Sequence, residues 1–165
     1  MKIRQLLQHW QQSSWQTRRC FNPETLRAIE QAITESEKLH RGELRFVIEG
    51  RYSLGQLLRE LKPRQRAAEL FAEQGVGNTA EHSGILIYVL LAEHQVEILA
   101  DHGITAKVGQ AEWDALCRRM TADFAAGQYR HGALAGIAGA NQLLSQHFPA
   151  WQANPNELDD APLVI

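Results

Sequence analysis

The sequence predicts an α/β fold in which a mixed β-sheet is sandwiched between helices. The main observation is the stretch 83–104, where two apolar runs, 85–91 and 96–100, flank the polar Glu93-His94-Gln95, a pattern typical of a β-hairpin. Both faces of the first run are apolar, which predicts an inner strand covered by helices on both sides. Helical periodicity before and after the hairpin completes the predicted order α, β, α, β, β, α, α.

The elements before the hairpin have clear starting signals. Asn22-Pro23-Glu24 predicts the start of a helix that continues to about residue 39, because asparagine caps helices and proline fits the first turn. The segment 43–49 begins with alternating charged and apolar residues and is predicted to be the first strand, with Glu43 and Arg45 on one face. Lys62-Pro63 predicts that another helix begins at Pro63.

Two helices are predicted after the hairpin, over 109–126 and 129–147. The apolar residues of the first recur at helical spacing: Trp113, Leu116, Cys117, Met120 and Phe124. In the second helix, Gly132, Gly136 and Gly139 form a strip of small residues. Since interior glycines destabilise a helix, this strip predicts close packing against a neighbouring helix.

Composition limits the classes of function. The chain has 165 residues and 44% hydrophobic content, enough for one well-buried core. A net charge of -2 and a pI of about 6.4 disfavour nucleic-acid binding. Cys20 and Cys117 form no CxxC pair, so we expect free thiols in a reducing compartment. No apolar run has the length of a signal-peptide core or a membrane span, which predicts a cytoplasmic protein with, at most, peripheral contact to a membrane.

We expect three regions: an N-terminal arm or short helix over 1–21, a domain over 22–149, and a flexible acidic tail over 150–165. The arm contains Trp10 and Trp15 near Arg18 and Arg19. Two interpretations remain open, a helix packed on the domain and a segment that docks on a membrane surface or a partner. The tail ends in the apolar residues 163–165, which are a further candidate surface for a partner.

Polar residues bracket the hairpin. Glu81-His82 precedes its first strand and Asp101-His102 follows its second, and because a hairpin begins and ends at the same edge, we expect the two pairs to approach each other. Carboxylates suit hard divalent cations, so Glu81 and Asp101 are predicted ligands of Ca²⁺ or Mg²⁺. The alternative is that Asp101 caps the turn or pairs with Arg45 or Lys107.

Other candidate residues surround this predicted metal site. They are Glu43, Arg45, His82, Ser83, His102 and Trp113. No histidine pair has the spacing of a helical zinc site, and no serine or cysteine lies in a nucleophile-elbow motif. The residues alone therefore identify no catalytic group.

The assembled segments over 35–149 resemble the TPM domain, which is found in photosystem II repair proteins of thylakoids and in bacterial YgcG-like proteins. The short bacterial form, which opens with Gly-Glu-Leu-Arg, is the most similar subtype. The resemblance rests on five motifs: 40–45, 83–88, 101–104, Trp113, and the helix junction with Met120, Phe124, Gly127, Tyr129 and Gly132. One departure is Ser83, which stands where the family usually has asparagine.

The resemblance implies an α/β sandwich, a divalent cation in some members, and acid phosphatase activity in plant relatives. Bacterial members resemble accessory proteins of membrane-associated systems. Two functions follow as expectations. The first is an accessory protein that binds a protein partner and carries a divalent cation site. The second is a metal-dependent acid phosphatase-like hydrolase, in which Arg45 would bind phosphate. The absence of an evident nucleophile favours the first.

Overall fold

The computed structural model describes residues 14–151 and 155–165. Its helices are α1 (Ser14–Cys20), α2 (Pro23–Ser36), α3 (Leu54–Leu58), α4 (Pro63–Glu73), α5 (His102–Thr105), α6 (Gln110–Ala125) and α7 (Tyr129–His147). The strands are β1 (Glu43–Glu49), β2 (Gly84–Leu90), β3 (Gln95–Ala100) and β4 (Leu163–Val164). Single 3₁₀ turns lie at Val76–Asn78 and Leu91–Glu93.

The four strands form one mixed sheet in the order β3-β2-β1-β4. β1 and β2 are parallel, with Glu43 opposite Gly84, whereas β2 and β3 form the antiparallel hairpin. Every residue of β2 is buried, and the strand lies between two others. The prediction of an inner strand over 85–91 is therefore confirmed apart from its last residue, Leu91, which starts the 3₁₀ turn.

Each face of the sheet has its own apolar core. Alternate residues of β1 and β2, among them Phe46 and Ile87, pack with α2, α6 and α7. The opposite face, with Val47 and Tyr88, packs with α3, α4 and the first 3₁₀ turn. Because strand side chains point alternately to the two faces, this arrangement confirms the predicted sheet between helices.

The glycines of α7 allow it to approach α6 closely. An added Cβ at Gly136 would lie 2.3 Å from the sulfur of Met120, and one at Gly139 would lie 2.2 Å from a methyl group of Leu116. Both distances are far below van der Waals contact. The predicted close packing along the small-residue strip is thus confirmed.

The C-terminal segment departs from the expectation of a flexible tail. Its described part, 155–165, contributes β4, which runs parallel to β1. The Ile165 amide donates to the carbonyl of Ile48, and the Gly50 amide donates to the carbonyl of Ile165, both at 2.9 Å. Leu163 packs against the second core. Residues 163–164 are therefore a strand of the sheet, and Ile165 continues the backbone hydrogen bonds to β1.

Candidate metal centre

The candidate site lies at the end of the sheet where β2 begins and β3 ends. The Asp101 amide donates to the carbonyl of Gly84 at 2.9 Å, which closes this end of the hairpin. The chain then turns into α5, and Asp101 Oδ1 accepts from the His102 amide at 2.7 Å. Asp101 is therefore the N-cap of a short helix, as one of the sequence-based alternatives predicted.

Two imidazoles approach the carboxylate of Asp101. His102 Nδ1 lies 2.9 Å from Asp101 Oδ1, and His82 Nδ1 lies 3.4 Å from Asp101 Oδ2. The two rings are 4.0 Å apart between centroids. One ligand atom from each of these three residues lies within 4.8 Å of the other two. We call His82, Asp101 and His102 the HDH cluster.

The carboxylate of Asp101 is not fully satisfied by hydrogen bonds. Its side chain is 12% exposed, and Oδ2 is buried without a hydrogen-bond partner in the described chain. A buried acceptor without a donor is unfavourable unless a cation or a water satisfies it. Two ligands of a tetrahedral metal with bonds of about 2.0–2.1 Å are separated by about 3.3 Å, close to the distance between His82 Nδ1 and Asp101 Oδ2. One carboxylate oxygen and two imidazole nitrogens are ligand atoms that fit a divalent ion.

Close backbone contact explains why the two ends of the hairpin meet. An added Cβ at Gly103 would lie 2.6 Å from the carbonyl oxygens of both Glu81 and His82. Only glycine lets the loop before β2 rest directly on α5. His82 itself has a φ of 51°, in the left-handed region that non-glycine residues rarely adopt. This turn sets the position of its side chain beside Asp101.

Glu81 has a different partner from the one predicted. Its carboxylate forms an ion pair with Nη1 of Arg41 and does not belong to the HDH cluster. The Arg41 guanidinium also lies 4.2 Å from the ring centroid of Trp151. The two polar pairs do meet at the end of the hairpin, but His82, rather than the carboxylate of Glu81, faces Asp101.

Glu43 and Arg45 hold the C-terminal segment and lie outside the HDH cluster. Glu43 Oε2 accepts from the amides of Glu157 and Leu158 at 3.1 Å. Arg45 Nη1 donates to the carbonyls of Asp159 and Ala161 at 2.8 and 2.6 Å. Both β1 side chains are buried. Their need for partners explains why the acidic tail packs on the sheet.

Ser83 and Trp113 are buried as well. The Ser83 amide donates to Thr79 Oγ1 at 2.9 Å, while the Ser83 hydroxyl has no partner in the described residues. Trp113 belongs to the core formed with α2, α6 and α7. Lys107, an alternative partner for Asp101, instead places its Nζ 4.4 Å from the ring centroid of Phe148. None of these side chains is a member of the HDH cluster.

Two buried ionisable groups near this end of the sheet were not identified from the sequence. Glu37 Oε1 accepts from the Leu44 amide at 2.8 Å. Burial, opposed by this hydrogen bond and reinforced by repulsion from Glu43 and Asp160, raises the pKa of Glu37 to about 9. Burial lowers the pKa of His40 to about 4. Both residues follow the last turn of an ordinary amphipathic helix, where polar residues give no signal of burial.

Comparisons with known proteins agree with this architecture. The family model of the TPM domain matches residues 16–143. The NMR structure of the BA42 protein from the psychrophilic bacterium Bizionia argentinensis superimposes with a TM-score of 0.75 and 28% sequence identity. That alignment covers 86% of this chain and 92% of BA42. No curated protein sequence matches the chain. No helix in 14–151 or 155–165 has an apolar stretch long enough to cross a membrane.

Proposed function

We propose that this chain, which belongs to the TPM domain family, binds a divalent cation at the HDH cluster and acts as an accessory protein that binds a protein partner of a membrane-associated system. The observation that carries the cation site is the buried Asp101 Oδ2, which has no hydrogen-bond partner in the described residues, on a carboxylate that both His82 and His102 approach. A bound cation would satisfy this oxygen and use both rings as further ligands.

The donor set refines the choice of metal. Ca²⁺ and Mg²⁺, expected from paired carboxylates, prefer oxygen ligands, whereas imidazole suits Zn²⁺, Ni²⁺ and related ions. With one carboxylate and two histidines, we expect Zn²⁺ to bind more tightly than Ca²⁺ or Mg²⁺. The prediction of Ca²⁺ or Mg²⁺ requires Glu81 to exchange Arg41 for the ion.

Isothermal titration calorimetry of the metal-free protein tests the site. Asp101→Asn and the double variant with His82→Gln and His102→Gln should each weaken Zn²⁺ binding by at least tenfold, since the first removes the carboxylate charge and the second removes two imidazole ligands. His94→Gln is the matched control, because His94 is exposed in the turn at the opposite end of the hairpin. Glu81→Gln should affect Ca²⁺ or Mg²⁺ binding only if Glu81 is a ligand.

Two results count against the cation site. One is the absence of binding heat for Zn²⁺, Ca²⁺ and Mg²⁺ at millimolar concentration. The other is equal affinity in the wild type and Asp101→Asn. Thermal melting of each variant is required alongside, to separate lost binding from lost folding; asparagine caps helices as well as aspartate does, so Asp101→Asn should keep the cap.

The surroundings of the cluster favour binding over turnover. Phosphoryl transfer needs cationic groups aimed at the phosphate oxygens and a positioned nucleophile or water. Arg45, the predicted phosphate-binding residue, is buried and engaged by the C-terminal segment, and Arg41 is paired with Glu81. The Ser83 hydroxyl is buried too. The pairing of both arginines and the burial of the Ser83 hydroxyl support the accessory function over the phosphatase-like alternative.

Assays of p-nitrophenyl phosphate hydrolysis with Zn²⁺, Mg²⁺ or Ca²⁺ decide between the two functions. We expect no hydrolysis above the background of the metal alone. Robust metal-dependent turnover that is lost in Asp101→Asn but retained in His94→Gln would reverse the ranking. Co-purification from native cells, with Asp101→Asn compared with the wild type, then tests whether a protein partner is retained and whether its retention depends on the cation site.

A further inference from the structure

Two leucines of α3 project into solvent on the same side of the helix. Leu54 and Leu58 are 74% and 72% exposed and lie one helical turn apart, whereas Leu57 between them is buried in the second core. α3 is thus fixed to the domain by one leucine and presents two others outward. Single exposed leucines are common, but a pair on one short helix is a local apolar surface.

Further exposed apolar residues lie at the same end of the sheet. Gly50, which directly follows β1 and precedes α3, is close enough to α1 that an added Cβ would lie 2.5 Å from Thr17 Oγ1. Its amide also donates to the carbonyl of Ile165. Trp15, in the first turn of α1, is 66% exposed, and Ile165 is partly exposed. The first turn of α1 and the start of α3 therefore flank the end of β1.

The same segments are basic, although the whole chain is slightly acidic. Residues 14–20 and 51–62 contain five basic residues, Arg18, Arg19, Arg51, Arg59 and Lys62, and one acidic residue, Glu60. The net charge of the whole chain is -2. The Arg19 guanidinium lies 5.7 Å from the ring centroid of Trp15. Basic residues in the same segments as exposed leucine and tryptophan side chains are complementary to an anionic, partly apolar surface.

We propose that the basic-apolar face, defined as α1 together with residues 51–62, docks on the surface of an anionic lipid bilayer. A lipid surface fits better than a protein because the exposed leucines project from a convex helix. Trp15, Leu54 and Leu58 also offer less area than the approximately 800 Å² that a stable protein interface buries on each partner. Insertion of a few side chains, combined with electrostatic attraction, is sufficient for reversible membrane binding.

This docking mode orients the HDH cluster away from the bilayer. The cluster lies where β2 begins, and the parallel strand β1 ends at the basic-apolar face. A strand of this length spans about 20 Å at about 3.3 Å per residue. The metal centre would therefore face solution. The proposal itself does not depend on a bound cation.

Vesicle co-sedimentation tests the proposal with the full chain in EDTA. The probes are vesicles of phosphatidylcholine alone and vesicles with 30 mol% phosphatidylglycerol. We expect binding only to the anionic vesicles and weaker binding at 0.5 M than at 0.1 M salt. Leu54→Ser with Leu58→Ser should reduce the partition coefficient at least tenfold. Arg18→Gln with Arg19→Gln should also reduce it, by about fivefold for each charge removed.

Leu39→Ser is the matched control, because Leu39 is an exposed leucine that lies just before β1, at the opposite end of the sheet. It should bind vesicles like the wild type, and all variants should show wild-type thermal transitions. Failure of the wild type to bind, equal binding to both vesicle types, or unchanged binding of the double leucine variant would overturn the proposal. Self-association in solution that the double leucine variant abolishes would also overturn it, since the face would then be a protein interface.

Discussion

Replacement of Glu37 by glutamine should stabilise the protein at neutral pH, although it alters a buried residue. Glu37 is 8% exposed, and its Oε1 accepts from the Leu44 amide. With a folded pKa of about 9 and an ordinary value of 4.5, Glu37 is protonated in the folded protein at pH 7 and ionised in the unfolded chain. Glutamine preserves the neutral shape and the acceptor oxygen.

The magnitude follows from the linkage between protonation and folding. Between pH 4.5 and 9 the folded state binds more protons than the unfolded state, so the free energy of unfolding falls as the pH rises. At about 1.4 kcal/mol per pH unit, wild-type folding at pH 7 carries a penalty of about 3 kcal/mol. A further loss of about 2 kcal/mol is expected between pH 7 and 9. Glu37→Gln should remove both the destabilisation at pH 7 and the further loss between pH 7 and 9.

Urea denaturation at a series of pH values from 5 to 9 measures the effect. Glu35→Gln is the control, because Glu35 lies on the same helix but is largely exposed and pairs only with Lys38 among the described residues. Its effect should stay within about 0.5 kcal/mol. A Glu37→Gln protein that is less stable than the wild type at pH 7, and whose stability falls with pH as steeply as that of the wild type, would refute the reasoning.

Three further predictions concern the fold. Ile87→Asp should abolish the cooperative thermal transition, because Ile87 is 1% exposed in the inner strand and its burial contributes about 1.5–3 kcal/mol. A transition like that of the wild type would contradict this packing. Because the pKa of His40 is lowered from 6.5 to about 4, the unfolded state binds more protons at this residue over this range, and the His40 contribution to stability should fall by about 3 kcal/mol as the pH drops from 6.5 to 4. Glu37 has the opposite dependence over this range, so urea titrations extended to pH 4 should show the loss in Glu37→Gln and a flattened acid limb when His40→Asn is added to that variant. Arg45→Met should destabilise the protein by about 2 kcal/mol, because it leaves two carbonyls of the C-terminal segment without their donor. It should also speed hydrogen exchange of the Ile165 amide. Unchanged exchange would disprove this role of Arg45.

Elements specified by local patterns were predicted well from the sequence. The helix start at Pro23 is capped by Asn22, whose Oδ1 accepts from the Thr25 amide at 2.8 Å. The bounds of α7 and the start of α4 at Pro63 also agree with the prediction. Caps, prolines and apolar periodicity act within a few residues, so a single sequence is enough to identify them.

The sequence located the candidate site at the correct end of the hairpin, but it named Glu81 and Asp101 as the ligands, whereas the structure groups His82, Asp101 and His102. Hairpin connectivity alone brings residues 81–82 and 101–102 to one edge of the sheet. The choice between Glu81 and His82 depends on the left-handed backbone of His82 and on the pairing of Glu81 with Arg41. A non-glycine residue with positive φ and an ion pair across 40 residues leave no local trace in the sequence. A histidine next to each acidic residue was the available signal.

The charged side chains of β1 serve the fold. Charged residues that alternate along a buried strand indicate first that other parts of the chain pair with them, and only second that they take part in catalysis. Glu43, Arg45 and Glu49 alternate along a strand that is buried throughout, so each charge must be compensated. Glu49 Oε2 accepts from the Tyr88 hydroxyl at 2.7 Å and from Arg66 Nε at 3.2 Å. Removing one member of such a pair typically costs about 3–5 kcal/mol. A loss of metal or partner binding in a Glu43 or Arg45 variant would therefore report a lost C-terminal strand, unless the variant retains the wild-type free energy of unfolding.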